Sequence, residues 1–155
     1  MSDAAQDDRS SPSSNGCTLF RLRRATRRVT QIYDRHLAPA GLRVTQWSLL
    51  ATLNALPPSP LGAIAEAMGM DRTTLSRNML PLQRAGYVET RIGKDRRLKT
   101  LTLTADGHAL VRRAFPLWRD AERQLRATLG PSTTERLRDA LDESMRAIAN
   151  AGATS

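Results

Sequence analysis

Arg72, Thr73, Thr74, Ser76 and Arg77 put two guanidinium groups and three hydroxyls into one short stretch, and Lys94, Arg96 and Arg97 follow downstream. A guanidinium can grip guanine through two hydrogen bonds, worth roughly 1–3 kcal/mol of discrimination. Hydroxyls suit phosphate oxygens and base edges, and a threonine methyl can meet a thymine methyl. This is the chemistry of reading a duplex rather than of making or breaking bonds. The plain alternative for each residue is a solvated helix face, so the distribution of charge matters. The chain of 155 residues carries 24 basic and 15 acidic side chains, net +9, and residues 71–99 alone hold +5 of it. A basic balance concentrated in one segment attracts a polyanion. The preponderance of arginine over lysine reads as compositional bias.

These residues need a scaffold. From about Leu61 to Met68 the chain reads as a short helix, Gly69 makes a turn, and Asp71 caps a second helix that displays Arg72 to Arg77. Ala65 is small where the two helices must approach, and Gly69 suits a left-handed turn. Ile64, Met68, Met70 and Leu75 form the shared core. Asn78 reads equally as a base contact or a helix-packing residue. Pro81 conflicts with a helix interior, where it costs about 3 kcal/mol, and predicts a kink or loosened turn near Leu80. Gly86 ends the element. Tyr87–Ile92 and Leu98–Thr104 then alternate like two strands around the charged turn Gly93-Lys94-Asp95-Arg96-Arg97. Residues 61–104 are thus a helix-turn-helix followed by a β-hairpin wing. Arg96 or Arg97 would enter the minor groove, and Lys94 and Lys99 would contact phosphate.

Long helices flank this segment. Leu19, Leu22, Ala25, Val29, Ile32 and Tyr33 recur at helical spacing over residues 18–37, until Pro39 and Gly41 break the pattern. Another helix starts at Thr45 as N-cap and carries Trp47, Leu50 and Leu53 inward, and a loop over residues 56–60 ends it. Thr104 or Asp106 opens a helix to about Leu129, kinked at Pro116. The last helix opens on the capping-box pattern Ser132-Thr133-Thr134-Glu135 and bears Leu137, Leu141, Met145 and Ile148 on one face. Residues 1–16, rich in Ser and Asp, read as a disordered tail. The fold class is mainly α with a small β-hairpin wing.

Several functions are disfavoured. No nucleophile–base pair, phosphate loop or cofactor motif is present, so neither an enzyme nor a cofactor is expected. His36 and His108 lack neighbours at metal-ligand spacing, so no metal is expected. The lone cysteine, Cys17, forms no internal disulfide. No apolar run approaches the ~18 residues of a membrane span, and the start lacks a signal-peptide pattern. A cytoplasmic, nucleoid-associated protein of a bacterium or archaeon is expected, without a membrane partner.

The segments LAPAGLRVTQWSLLATL, IAEAMGMDRTTLSRNMLPLQRAGYV and KDRRLKTLTLTADG resemble the MarR family of bacterial winged helix-turn-helix regulators, over roughly residues 17–150. The resemblance implies a homodimer built from the helices at 18–37 and 105–149. It implies DNA contacts at Arg72, Thr73, Thr74, Ser76, Arg77, Lys94, Arg96 and Arg97, with Asp95 holding Arg97 by a salt bridge. It also implies an effector crevice between the dimerisation helices and the DNA-binding lobe, where Tyr33, His36 and Trp47 are candidates for a small hydrophobic or aromatic effector. Two winged segments spaced about one helical turn, ~34–36 Å, would read an imperfect palindrome. The function so implied is a homodimeric repressor released by its effector. A redox-responsive regulator and a constitutive architectural protein are the alternatives. Peroxide-sensing relatives place a cysteine where Leu19 stands here, and a partner tyrosine at Arg23. Cys17 departs from that pattern, yet it sits at a helix N-terminus near Arg21, which favours a thiolate.

Overall fold

Apolar stripes at helical spacing bracket the chain and give its longest helices: α1 over Thr18–Leu37, α5 over Ala105–Leu129 and α6 over Pro131–Gly152. The computed structural model describes residues 16–92 and 99–152. Between the long helices lie α2 (Val44–Ala55), β1 (Ser59–Pro60), α3 (Leu61–Ala67), α4 (Arg72–Arg84), β2 (Val88–Ile92) and β3 (Lys99–Leu103). The strands form an antiparallel sheet in the order β1-β3-β2. Residues 1–15 of the expected tail and the tip of the wing, with Lys94, Asp95, Arg96 and Arg97, lie outside the described residues.

The turn after α3 has a clear cause. Gly69 takes φ +60°, its N–H donates to the Glu66 carbonyl, and the Met70 N–H donates to the Ala65 carbonyl. This pair of bonds satisfies helix-end carbonyls and requires a residue at ease with positive φ. Ala65 is buried as expected, while Met68 and Met70 pack half-buried against the core. Leu37, Leu50, Ile64, Leu75 and Ala114 exclude solvent entirely. Burying a large apolar side chain contributes roughly 1.5–3 kcal/mol, and these bind the lobe of α2–α4 to α1, α5 and the sheet.

Three expected boundaries move. α2 starts at Val44, not after a Thr45 cap. The Asp34 carboxylate, reaching across from α1, accepts the Val44 N–H at 2.8 Å, and Gln46 Oε1 accepts the Arg43 N–H at 3.0 Å. A tertiary contact and a local bond from Gln46 together therefore stand in for the expected Thr45 cap. The loop at 56–60 contains β1, which pairs Ser59 with Leu101 and Pro60 with Thr100. Proline is tolerated there because β1 is an edge strand. α6 starts at Pro131, one turn before the expected capping box would be complete. Proline suits the first helical position because its N–H would have no partner there, and the Gly130 carbonyl accepts the Thr134 N–H.

At the other end of the sheet, Thr104 is the cap of α5. Its hydroxyl donates to the Gly86 carbonyl at 2.7 Å and accepts the Gly107 N–H at 3.1 Å. A Cβ on Gly107 would stand 2.1 Å from the Tyr87 carbonyl oxygen, so only glycine lets α5 meet the sheet this closely. Pro81 and Pro116 both lie inside continuous helices, α4 and α5. Pro81 opens the last turn of α4, beyond the turns that carry Arg72–Arg77.

Candidate nucleic-acid interface

α4 is anchored by one face and displays the other. Leu75, Met79 and Leu82 are at most 2% exposed, while Arg72, Thr73, Thr74, Ser76 and Arg77 all lie at the surface. The first turn is held by Asp71, whose Oδ1 accepts the Thr74 N–H at 2.8 Å and whose Oδ2 accepts the Thr74 hydroxyl at 2.6 Å. The hydroxyl and then the backbone bond from Thr74 hold the Asp71 carboxyl below its ordinary value. Thr74 thus commits its donor to the cap and keeps only acceptor capacity for a ligand. Arg72 lies back over α3, where Gly62 leaves room for its guanidinium: a Cβ there would be 2.8 Å from Nη2. Thr73, Arg77 and Arg84 fall on one outward stripe by their helical spacing. Arg84 was not among the residues singled out from sequence, though its i+7 spacing from Arg77 was legible.

A second concavity lies beside α4. A polar cleft of about 370 Å³ opens between α2 and α4, walled by Arg43, Thr45, Gln46, Arg77, Asn78 and Pro81. Asn78 is half-buried there. Arg43 also pairs with Asp34 at 3.3 Å.

On the far side of α2 lies an apolar crevice of about 640 Å³ between α1, α2, α5 and α6. Tyr33 and Trp47 line it, together with Trp118, Val29, Leu125 and Leu141. The Trp47 and Trp118 rings stack with centroids 6.0 Å apart. Glu122 is the polar centre: it accepts the Tyr33 hydroxyl at 2.5 Å and pairs with Arg138 at 2.7 Å, so one carboxylate joins α1, α5 and α6. Burial pushes the Tyr33 phenol well above its ordinary value, and the Glu122 hydrogen bond and charge act in the same direction. His36 is not placed in this lining; its Nε2 meets Gln124 Oε1 at 2.7 Å. Glu122 was missed in the sequence although it follows Trp118 by four residues on an apolar helix stripe, a position where a carboxylate calls for a partner. His108 meets Asn54 at 3.0 Å, and Cys17 is exposed at the N-cap of α1. Among the described residues no helix is long and apolar enough to cross a membrane.

The terminal helices are only partly covered. Leu19, Leu22, Leu137, Leu141, Met145 and Ile148 are between 42% and 67% exposed.

Residues 40–98 match the family model described as MarR family. The structure is similar to that of the M. tuberculosis transcriptional regulator MosR in complex with DNA, with 37% identity, TM-score 0.72, and coverage of 85% of this chain and 98% of that one. It is also similar to a probable transcriptional regulator from Pseudomonas aeruginosa, with 25% identity, TM-score 0.77, and coverage of 84% and 98%. Among curated proteins, the HTH-type transcriptional regulator YwoH of Bacillus subtilis is 27% identical over 88 residues, 57% of this chain and 64% of its own length. The matched region thus spans somewhat less than two thirds of that relative. With a capped, outward-facing helix after a glycine turn, a sheet beside it and a regulator of 37% identity matched over nearly its whole length, the chain belongs to the MarR family of transcriptional regulators.

Proposed function

We propose that this protein is a homodimeric, sequence-specific repressor that binds an imperfect palindrome in duplex DNA and is released by a small apolar or aromatic effector. The observation that carries this reading is the exposed face of α4, capped by Asp71 and fixed from behind by Leu75, Met79 and Leu82. Arg77 and Thr73 read base edges from it; Arg72, Thr74 and Ser76 contact the bases or backbone beside them. Lys94, Arg96 and Arg97 bind backbone and minor groove, with Asp95 holding Arg97. The MosR structure was solved in complex with DNA, which supports the same ligand here. The exposed apolar faces of α1 and α6 fit a second copy of the chain. The crevice, lined by Tyr33 and a pair of stacked tryptophans, fits a flat apolar effector whose binding shifts the dimer toward a state with weaker DNA affinity. Such a protein would act at the nucleoid, in the cytoplasm.

The test is binding of the full chain to the duplex upstream of its own gene, against a mixed-sequence duplex of equal length. Preference for the former, lost in Arg77→Ala, supports the reading. Equal binding to both would hand the chain to the constitutive architectural alternative. A peroxide titration that changes operator binding in wild type but not in Cys17→Ser would instead establish the redox reading.

A further inference from the structure

α2 separates two concavities of opposite character. Val44, Trp47 and Ala51 face the apolar crevice, whereas Thr45, Gln46 and Leu49 face the polar cleft beside α4. The cleft's chemistry is one-sided. Arg43 and Arg77 enter it from different elements, and a guanidinium only donates. Gln46 has already used its amide oxygen on the Arg43 N–H, which leaves its NH₂ group as the free end. Among the described residues no carboxylate lines the cleft. Asp34, the carboxylate paired with Arg43, is occupied by that guanidinium and by the Val44 N–H. A concavity lined by two arginines, a threonine and two amide side chains, and by no carboxylate among the described residues, favours an anion with several acceptor oxygens.

We propose that this cleft between α2 and α4 seats a phosphodiester of the DNA backbone on Arg43, beside the base-reading Arg77, and that Asp34 positions Arg43 for it. The proposal rests on the reading of the chain as a duplex binder. DNA is favoured over a free anion because Arg77 belongs both to the cleft and to the outward stripe of α4. A duplex whose groove receives that stripe runs its backbone past the cleft. Arg43 is then a backbone anchor outside the recognition helix, and Asp34 is a positioning residue. It stands one residue from Tyr33, so the same turn of α1 reaches the crevice on one side and the cleft's cation on the other.

The experiment measures affinity of the full chain for a mixed-sequence duplex of about three helical turns across roughly 50–200 mM salt. Arg43→Gln weakens binding roughly tenfold at low salt and lowers the salt slope by about 0.9 for each phosphate no longer neutralised. It leaves the ranking of operator over mixed duplex unchanged. Arg146→Gln, the same charge change on α6, leaves the slope at the wild-type value. Asp34→Asn keeps an oxygen for the Val44 N–H but releases Arg43 from its position, so binding weakens at low salt, and this loss vanishes when Arg43→Gln is already present. A merely structural Asp34 would weaken binding by the same factor with and without Arg43→Gln. Wild-type binding with an Arg43→Gln slope equal to that of Arg146→Gln overturns the cleft assignment while leaving the duplex reading intact. Inorganic phosphate that binds wild type but not Arg43→Gln, at constant ionic strength and without displacing the duplex, would assign the cleft to a free anion and overturn it too. Failure of wild type to bind any duplex removes the underlying reading and the proposal together.

Discussion

Leu75, Met79 and Leu82 of α4 are at most 2% exposed, whereas Leu137, Leu141, Met145 and Ile148 of α6 are between 42% and 67% exposed. Both helices have an apolar stripe at helical spacing. The stripe of α4 is covered by its own chain; that of α6 packs against α5 with much of its length uncovered. Among the described residues the α4 lobe is therefore covered by its own chain, while the terminal helices present a surface of the kind that calls for a second copy. Under the proposed function this inequality would give regulation a physical basis: the reading helix would be fixed on its lobe, and the spacing between two lobes would depend on the less-covered half.

Substitutions separate the two halves. The largest effect on folding belongs to the covered half. Leu50→Ala leaves a cavity behind α2 and lowers unfolding stability by about 2–5 kcal/mol, read by thermal or denaturant melts. A loss below about 1 kcal/mol would show that this core is as adaptable as the α6 face. Met145→Asp combined with Ile148→Asp barely alters the melt of one chain but weakens self-association more than tenfold, read by sedimentation. A double variant that remains fully dimeric would show that α6 is not the shared face. Arg77→Ala leaves both melt and dimer unchanged and costs about 1–3 kcal/mol of discrimination between operator and mixed duplex.

Two smaller effects depend on pH, with opposite signs. Tyr33 in the crevice has its folded pKa raised above the ordinary phenol value of about 10. Its contribution is fully present below that value and is lost as pH rises through it toward the folded pKa. Wild type therefore loses stability in alkali, and Tyr33→Phe removes that part of the loss. Asp71 on α4 has its folded pKa lowered by Thr74. Its contribution is present above the ordinary carboxylate range and is lost as pH falls through the folded value. Asp71→Asn flattens a small acid-side slope, and the same melts, run across pH, check both.

Much of the covered half was legible from local rules. Gly69, Asp71 and the apolar positions of α4 act through turn geometry, capping and helical period, each readable over a few neighbouring residues. The α6 stripe was equally legible as a stripe. Its partner was not, because periodicity states that a face is apolar and not what covers it. The crevice was legible only in part. Tyr33 and Trp47 line it, but His36 turns to Gln124, since a helix position fixes a direction and not which neighbour lies there.

The sequence by itself determined the order of the helices and the hairpin, the helix-turn-helix with its cap, and the concentration of cations on residues 71–99. These follow from interactions between residues close along the chain. Only the tertiary structure decided that Asp34 caps α2 and holds Arg43, that β1 joins the sheet, that Glu122 links Tyr33 to Arg138, and that α2 divides an apolar crevice from a cationic cleft. Each of these joins residues distant in sequence. Their pairing depends on how helices pack in three dimensions, which no local propensity encodes.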